Sequence, residues 1–208
     1  MRGVRGLWAL VLLCAAPSLA AAQVPVRQTV SFLAGAATGL VVHESGHVIT
    51  GALFGANPGV KPINFAGIPF FAITHDRVTR CEEFVISSAG FWMQHAGSEI
   101  LLSKRPNLRH EPAAFAKGVL AFNLATSAMY AGAAFLQVGP LERDTLGMAV
   151  SLGKHGWPEP VVGAFVLAPA LLDGYRYLHP DARWAVWTSR GVKAAFMGLL
   201  LFAGRPLS

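Results

Sequence analysis

Long apolar runs separated by short polar stretches set the pattern of this chain. They extend from about Val30 to Phe54, Phe84 to Leu102, Ala113 to Val138, Val161 to Leu178 and Trp184 to Phe202. At about 1.5 Å per helical residue, each approaches or exceeds the roughly 30 Å needed to cross a bilayer core. The pattern predicts an all-α polytopic membrane protein, a bundle of four or five transmembrane helices. The run from Phe84 to Leu102 makes the number uncertain. It carries Ser87, Ser88, Gln94, His95, Ser98 and Glu99, which are costly facing lipid and must look inward or toward water.

Two connections have a character of their own. Residues 55–80 hold too much Gly and Pro for a helix and too few polar residues for an ordinary solvent loop. Within them, Pro62 to Thr74 reads as two extended runs about a turn near Gly67. This is either a membrane-associated β-hairpin, whose edge can pair with an extended peptide, or a loop covering the bundle. The second connection, Gly139 to Pro160, contains an amphipathic stretch around Leu141 to Leu152, expected as an interfacial helix.

Composition agrees with a membrane setting: 53% of residues are hydrophobic and 13% charged, with a mean hydropathy of +0.47. A net charge of +6 raises the question of nucleic acid. The chain has no basic run with interleaved aromatics, however, and its Lys and Arg lie mostly between apolar segments, so lipid headgroups are the expected partner. At the amino end, Arg2 and Arg5 precede the apolar stretch Leu7 to Cys14, then Pro17 and Ala20-Ala21-Ala22. This reads as a signal peptide over residues 1–22, cleaved after Ala22; an uncleaved anchor is the alternative. Residues 23–208 then form one intramembrane unit, with Cys81 its only cysteine and no disulfide. Cleavage would leave Gln23 outside and send the first helix inward. Lys104, Arg105 and Arg109 would then also lie outside, so the distribution of positive charge does not decide the orientation.

His43-Glu44-Ser45-Gly46-His47 interrupts the first apolar run with the H-E-x-x-H spacing. Residues four apart share a helix face, so both imidazoles can reach one zinc ion while Glu44 serves as base toward its water. A catalytic zinc takes three protein ligands and leaves a position for water. The best third candidate is Asp173, an acid inside an apolar run, where coordination would offset the cost of its charge. The competing reading pairs Asp173 with Arg176. His95, Glu99 and His179 are weaker candidates.

These residues resemble a known family. The motif on the first mature helix, the apolar hairpin after Ala52-Leu53-Phe54-Gly55 and the late Leu172-Asp173-Gly174 look like the site-2 protease family of intramembrane zinc metalloproteases, peptidase family M50. The order of these parts matches over most of the mature chain. The resemblance implies zinc bound by His43, His47 and Asp173, with Glu44 as catalytic base. It further implies regulated cleavage of transmembrane protein substrates by a multi-pass protein of a bacterial cytoplasmic membrane. Gly90-Phe91-Trp92-Met93-Gln94 matches a family helix pattern only approximately. The family's Asn-rich run is here Val166-Leu167-Ala168-Pro169, which leaves Asn123 or Gln94 as possible substrate or oxyanion support. A parity conflict also arises: counting every apolar run as a crossing makes the His43 and Asp173 helices antiparallel, whereas the family runs them parallel. Two alternatives stay open, a noncatalytic membrane-embedded pseudoprotease and a different H-E-x-x-H membrane zinc peptidase with a Glu as third ligand.

Overall fold

The computed structural model describes residues 26–65, 68–153 and 155–203. The expected signal peptide, residues 1–22, and the turn at Gly67 lie outside the described residues. The rest is mostly helical: α1 (Val26–Leu53), a hairpin of β1 (Gly59–Phe65) and β2 (Ile68–Thr74), α2 (Arg80–Lys104), a short 3-10 turn (Leu108–His110), α3 (Ala114–Leu136), α4 (Asp144–Ser151), α5 (Glu159–Leu178) and α6 (Arg183–Ala203). The strands pair antiparallel from Gly59 opposite Thr74 to Phe65 opposite Ile68, so the extended reading of this segment describes its backbone. The amphipathic stretch expected around Leu141 to Leu152 forms the short helix α4.

Local chemistry sets several of the helix ends. Thr79 caps α2 by accepting from the Glu82 backbone N–H, while the Glu82 carboxylate accepts from the Thr79 N–H, so two otherwise unpaired donors are satisfied. α3 ends where Gln137 turns left-handed at φ 54° and donates its N–H back to α3 carbonyls. Pro158 precedes α5 and Pro160 occupies its first turn, where a missing N–H costs no helical bond.

Close helix packing begins with a row on α1. Gly35, Gly39, His43, His47 and Gly51 follow one another at four-residue spacing, and all five are buried. Against this row α3 comes so near that a methyl group on Gly35 would sit 2.0 Å from the Phe115 carbonyl oxygen. Reciprocally, one on Gly118 of α3 would sit 2.0 Å from the Phe32 carbonyl oxygen. Such small-residue contacts let helix backbones meet where few apolar side chains are available to fill the space. α2 lies along the other flank of α1, with Gly46 against the Ala89 backbone. α3 packs on α5, α5 on α6, and α4 on both α2 and α5. Phe84, Phe91, Met148, Val162, Val166 and Phe196 form the apolar core joining α2, α4, α5 and α6.

Two of the helices, α3 and α5, are long and apolar enough to cross a membrane. The sequence pattern predicts four or five such spans. In the structure α1 carries the motif residues at its middle, α2 carries Glu82, Glu83, Glu99 and Lys104, and α6 carries Arg183, Arg190 and Lys193.

Gly118→Ala is expected to destabilise the fold, because its methyl group meets a backbone carbonyl that cannot rotate away. Overpacking of this kind costs about 1–3 kcal/mol or more. A lower thermal midpoint for purified Gly118→Ala, set against an unlowered one for Gly132→Ala, where a methyl meets nothing within 4 Å and Ala suits a helix better than Gly, checks the contact.

Candidate metal centre

His43 and His47 project from the buried face of α1, one turn apart. Gly90 of α2 makes room for the first: a methyl group there would lie 2.4 Å from His43 Cε1. Phe91 meets the same imidazole edge to face, with ring centroids 5.5 Å apart. His47 is oriented differently, since its Nδ1–H donates to the Ile86 carbonyl at 2.8 Å. That bond commits Nδ1 as a donor and turns Nε2 toward the site, where it would ligate a metal once deprotonated.

The third group is Asp144, in the first turn of α4. Its Oδ2 lies 3.2 Å from His43 Nε2 and 3.4 Å from His47 Nε2. The two Nε2 atoms are themselves 3.3 Å apart. His43, His47 and Asp144 are the one group of ligand type brought together among the described residues, and they could hold a metal ion. Bonds of about 2.0–2.2 Å in a tetrahedral shell imply ligand edges of about 3.3–3.6 Å, and the three observed edges form nearly such a face. The same distances are long for charge-assisted hydrogen bonds, which run at about 2.7–2.9 Å. Burial acts to raise the Asp144 carboxyl, but the His47 charge and hydrogen bonds from both imidazoles outweigh it. They hold the carboxyl well below its usual range, so it is an anionic donor at neutral pH.

An ion-pair clamp places Asp144. Arg143 donates through Nε and Nη2 to the two Glu159 oxygens at 2.7 and 2.6 Å, and through Nη1 to the Pro140 carbonyl at 2.9 Å. Thr145 Oγ1 donates to Glu159 as well, at 2.8 Å. One carboxylate at the start of α5 therefore ties down the residues on both sides of Asp144. Close packing adds to this, because a methyl group on Gly147 would strike Ser87 Oγ of α2 at 2.1 Å. Glu44 is half-buried and within electrostatic reach of His43, His47 and Asp144. A cavity of about 200 Å³ opens beside the group, lined by His47 and Asp144, by Ile73 and Thr74 of β2, and by Glu83 and Ile86 of α2. A larger cavity, about 520 Å³ between α1 and α3, contains none of the three candidate ligands.

The structure places Asp173, the third ligand expected from the sequence, outside this group. Asp173 is buried at 1% exposure, but its Oδ1 is engaged by Lys193 Nζ at 2.7 Å, Ser189 Oγ at 2.9 Å and Arg176 Nη1 at 3.4 Å. The Arg176 pairing weighed against coordination is thus present, with a lysine closer still. Glu99 belongs to the same network, bound by Arg176, Arg190 and Lys193. His95 is buried against Phe196, and His179 stacks on Tyr175. Asn123 donates its amide to the Gln94 carbonyl and Ser98 Oγ, tying α3 to α2. Neither it nor the Gln94 side chain belongs to the ligand group.

Sequence reasoning missed Asp144 because it stands beside Glu142 and Arg143 in a connection, where charges are ordinarily solvated. The available signal was the parity conflict, which is relieved when the third ligand comes from a segment that is not a crossing. No protein family, curated protein or solved structure matches the chain.

Metal content separates the two aspartates. Purified Asp144→Ala is expected to lose stoichiometric metal, whereas Asp173→Asn is expected to retain it and to unfold at a lower temperature, since a buried Lys193 loses its charged partner. Elemental analysis beside thermal denaturation reads both effects.

Proposed function

We propose that this protein is a zinc-dependent endopeptidase acting within or beside a membrane, with His43, His47 and Asp144 as ligands and Glu44 as base. The nearly tetrahedral face of 3.2, 3.3 and 3.4 Å edges carries the reading. Two histidines and one carboxylate with a position left for water form a donor set typical of catalytic rather than structural zinc. The oriented His47 ring and the clamped Asp144 suit that ion.

Support for the membrane setting comes from the outer surface. Val30, Leu33, Val41, Ile49 and Leu53 of α1 are exposed, as are Met129 and Leu136 of α3, Leu171 of α5 and Trp187 of α6. A surface so rich in large apolar side chains suits lipid better than water. On this reading α1, α2 and α6 join α3 and α5 in the bilayer, their polar residues turned toward one another. The resemblance to the site-2 protease family points the same way through the motif and hairpin, with the third ligand moved from Asp173 to Asp144.

Zinc held here supplies an acidified water and a Lewis acid toward the scissile carbonyl. Glu44 accepts the water proton as oxygen attacks the carbonyl carbon, then delivers it to the leaving amine as the C–N bond breaks. A helical substrate must first unwind, because its carbonyls are internally bonded. The free edge of the β1–β2 hairpin, whose Ile73 and Thr74 line the cavity at the ligands, offers backbone pairing to the extended segment.

Glu44→Gln is expected to bind zinc as the parent does while losing peptide cleavage, since removing a general base costs about 10²–10⁴-fold in rate. Turnover of a transmembrane peptide by the purified mutant at the parent rate would overturn the assignment of Glu44. An inert parent that holds stoichiometric zinc would favour the noncatalytic reading.

A further inference from the structure

The cavity of about 520 Å³ lies where α1 and α3 begin and α5 ends, away from the candidate ligands. Its size is within the range of about 300–1,000 Å³ usual for ligand sites. Its lining is graded. Gln28 and Thr29 stand in the first turn of α1, and Lys117 in the first turn of α3. Phe32 lies one turn further along α1, and Leu120 and Leu124 lie one and two turns further along α3, so the wall becomes apolar over about 10 Å. The lining holds a lysine and no carboxylate. Positive charge collects at the same end. Lys117 donates from Nζ to the Arg109 carbonyl at 2.9 Å, and Arg109 donates from Nη1 to the Leu178 carbonyl at 3.1 Å, next to the lining residue Tyr177. An ammonium has three N–H donors, so Lys117 keeps two for a ligand. Glu111, the nearest acid in sequence, is taken by Arg105. Among the described residues neither Arg109 nor Lys117 has a carboxylate within ion-pair distance.

We propose that this cavity binds an anionic phospholipid, its phosphate at Lys117 with Arg109 beside it and one acyl chain along Phe32, Leu120 and Leu124. The inference rests on the reading that the protein lies in a membrane, and it is independent of the metal centre. A graded wall selects an amphiphile. A soluble anion leaves the apolar part uncovered, and a zwitterionic lipid leaves the positive charge uncompensated. Basic pockets between membrane helices take anionic headgroups for the same reason. Phe32 also gives its carbonyl to the close contact with Gly118. A chain lying on Phe32 therefore braces the seam between α1 and α3.

The full chain, purified in detergent and stripped of lipid, is titrated with dioleoyl phosphatidylglycerol and with dioleoyl phosphatidylcholine, and bound lipid is read by native mass spectrometry. The parent should hold a single phosphatidylglycerol more tightly than phosphatidylcholine, and its unfolding midpoint should rise with the anionic lipid bound. Lys117→Gln should weaken phosphatidylglycerol about five-fold, the contribution of one basic residue near anionic lipid, and leave phosphatidylcholine unchanged. Lys104→Gln, at an exposed lysine outside the lining, should bind as the parent does. Thr29→Trp, which fills the cavity from an exposed position, should weaken both lipids. Glycerol 3-phosphate, a headgroup without chains, should displace neither. Equal parent affinity for the two lipids would overturn the proposal, as would equal losses in the two lysine variants or displacement by glycerol 3-phosphate. Parent-like binding by folded Thr29→Trp would overturn it too; if that variant does not fold, the lysine pair decides. Recovery of the parent chain from the soluble fraction without detergent is a separate result, and it removes the membrane reading itself.

Discussion

Backbone-to-backbone contact between α1 and its two neighbours is the constraint on which the rest of the molecule depends. Gly35 and Gly118 bring α1 onto α3, and Gly46 brings it onto α2 at Ala89. Between these contacts the only bulky side chains in the buried row are His43 and His47. With the helices held this close, each imidazole has little freedom: Gly90 receives one ring and the Ile86 carbonyl fixes the other. The H-E-x-x-H motif is thus preorganised by the absence of side chains around it. Local helix geometry puts two nitrogens on one face, and the glycines decide that this face is closed to everything except Asp144 and the adjoining cavity.

Charge is divided between two separate interior networks. One gathers Arg143, Glu159 and Thr145 beneath Asp144. The other joins Asp173 and Glu99 to Arg176, Arg190 and Lys193, tying α2, α5 and α6 together. Each buried carboxylate meets a cation or the imidazole pair, as the cost of an uncompensated interior charge requires. The division explains why two acids with similar apolar surroundings in sequence have different roles. Asp173 is already neutralised by a lysine one helix away. Asp144 instead faces two imidazoles, through one and the same oxygen.

Much of the helical frame could be read from the chain because apolar runs and their polar breaks mark helices by length and period. The bounds fall close to the structure, as Ala113 to Val138 against Ala114–Leu136 shows. The pairing of His43 with His47 was legible for the same reason: it depends on spacing within one helix. Asp144 was not, because it joins the group through a contact between elements far apart in sequence, which no periodicity records. Asp173 attracted attention by the cost of burying it, a sound argument that identifies a partnered acid without naming the partner. Lys193, twenty residues onward in a run judged only by its hydropathy, is the partner that could not be seen.

The separation of His43 from Asp144, 101 positions along the chain, has a consequence for biogenesis. During synthesis the H-E-x-x-H helix emerges first and offers only two ligands, too few for a catalytic zinc shell. On the proposed reading the shell closes only once Glu159, made later still, has gripped Arg143. Under the proposed function a nascent chain is therefore inert while it passes through the insertion machinery, surrounded by unfolded membrane segments of the kind it would cut. On that reading hydrolytic competence arrives with tertiary completion, and the distance between ligands acts as a timer.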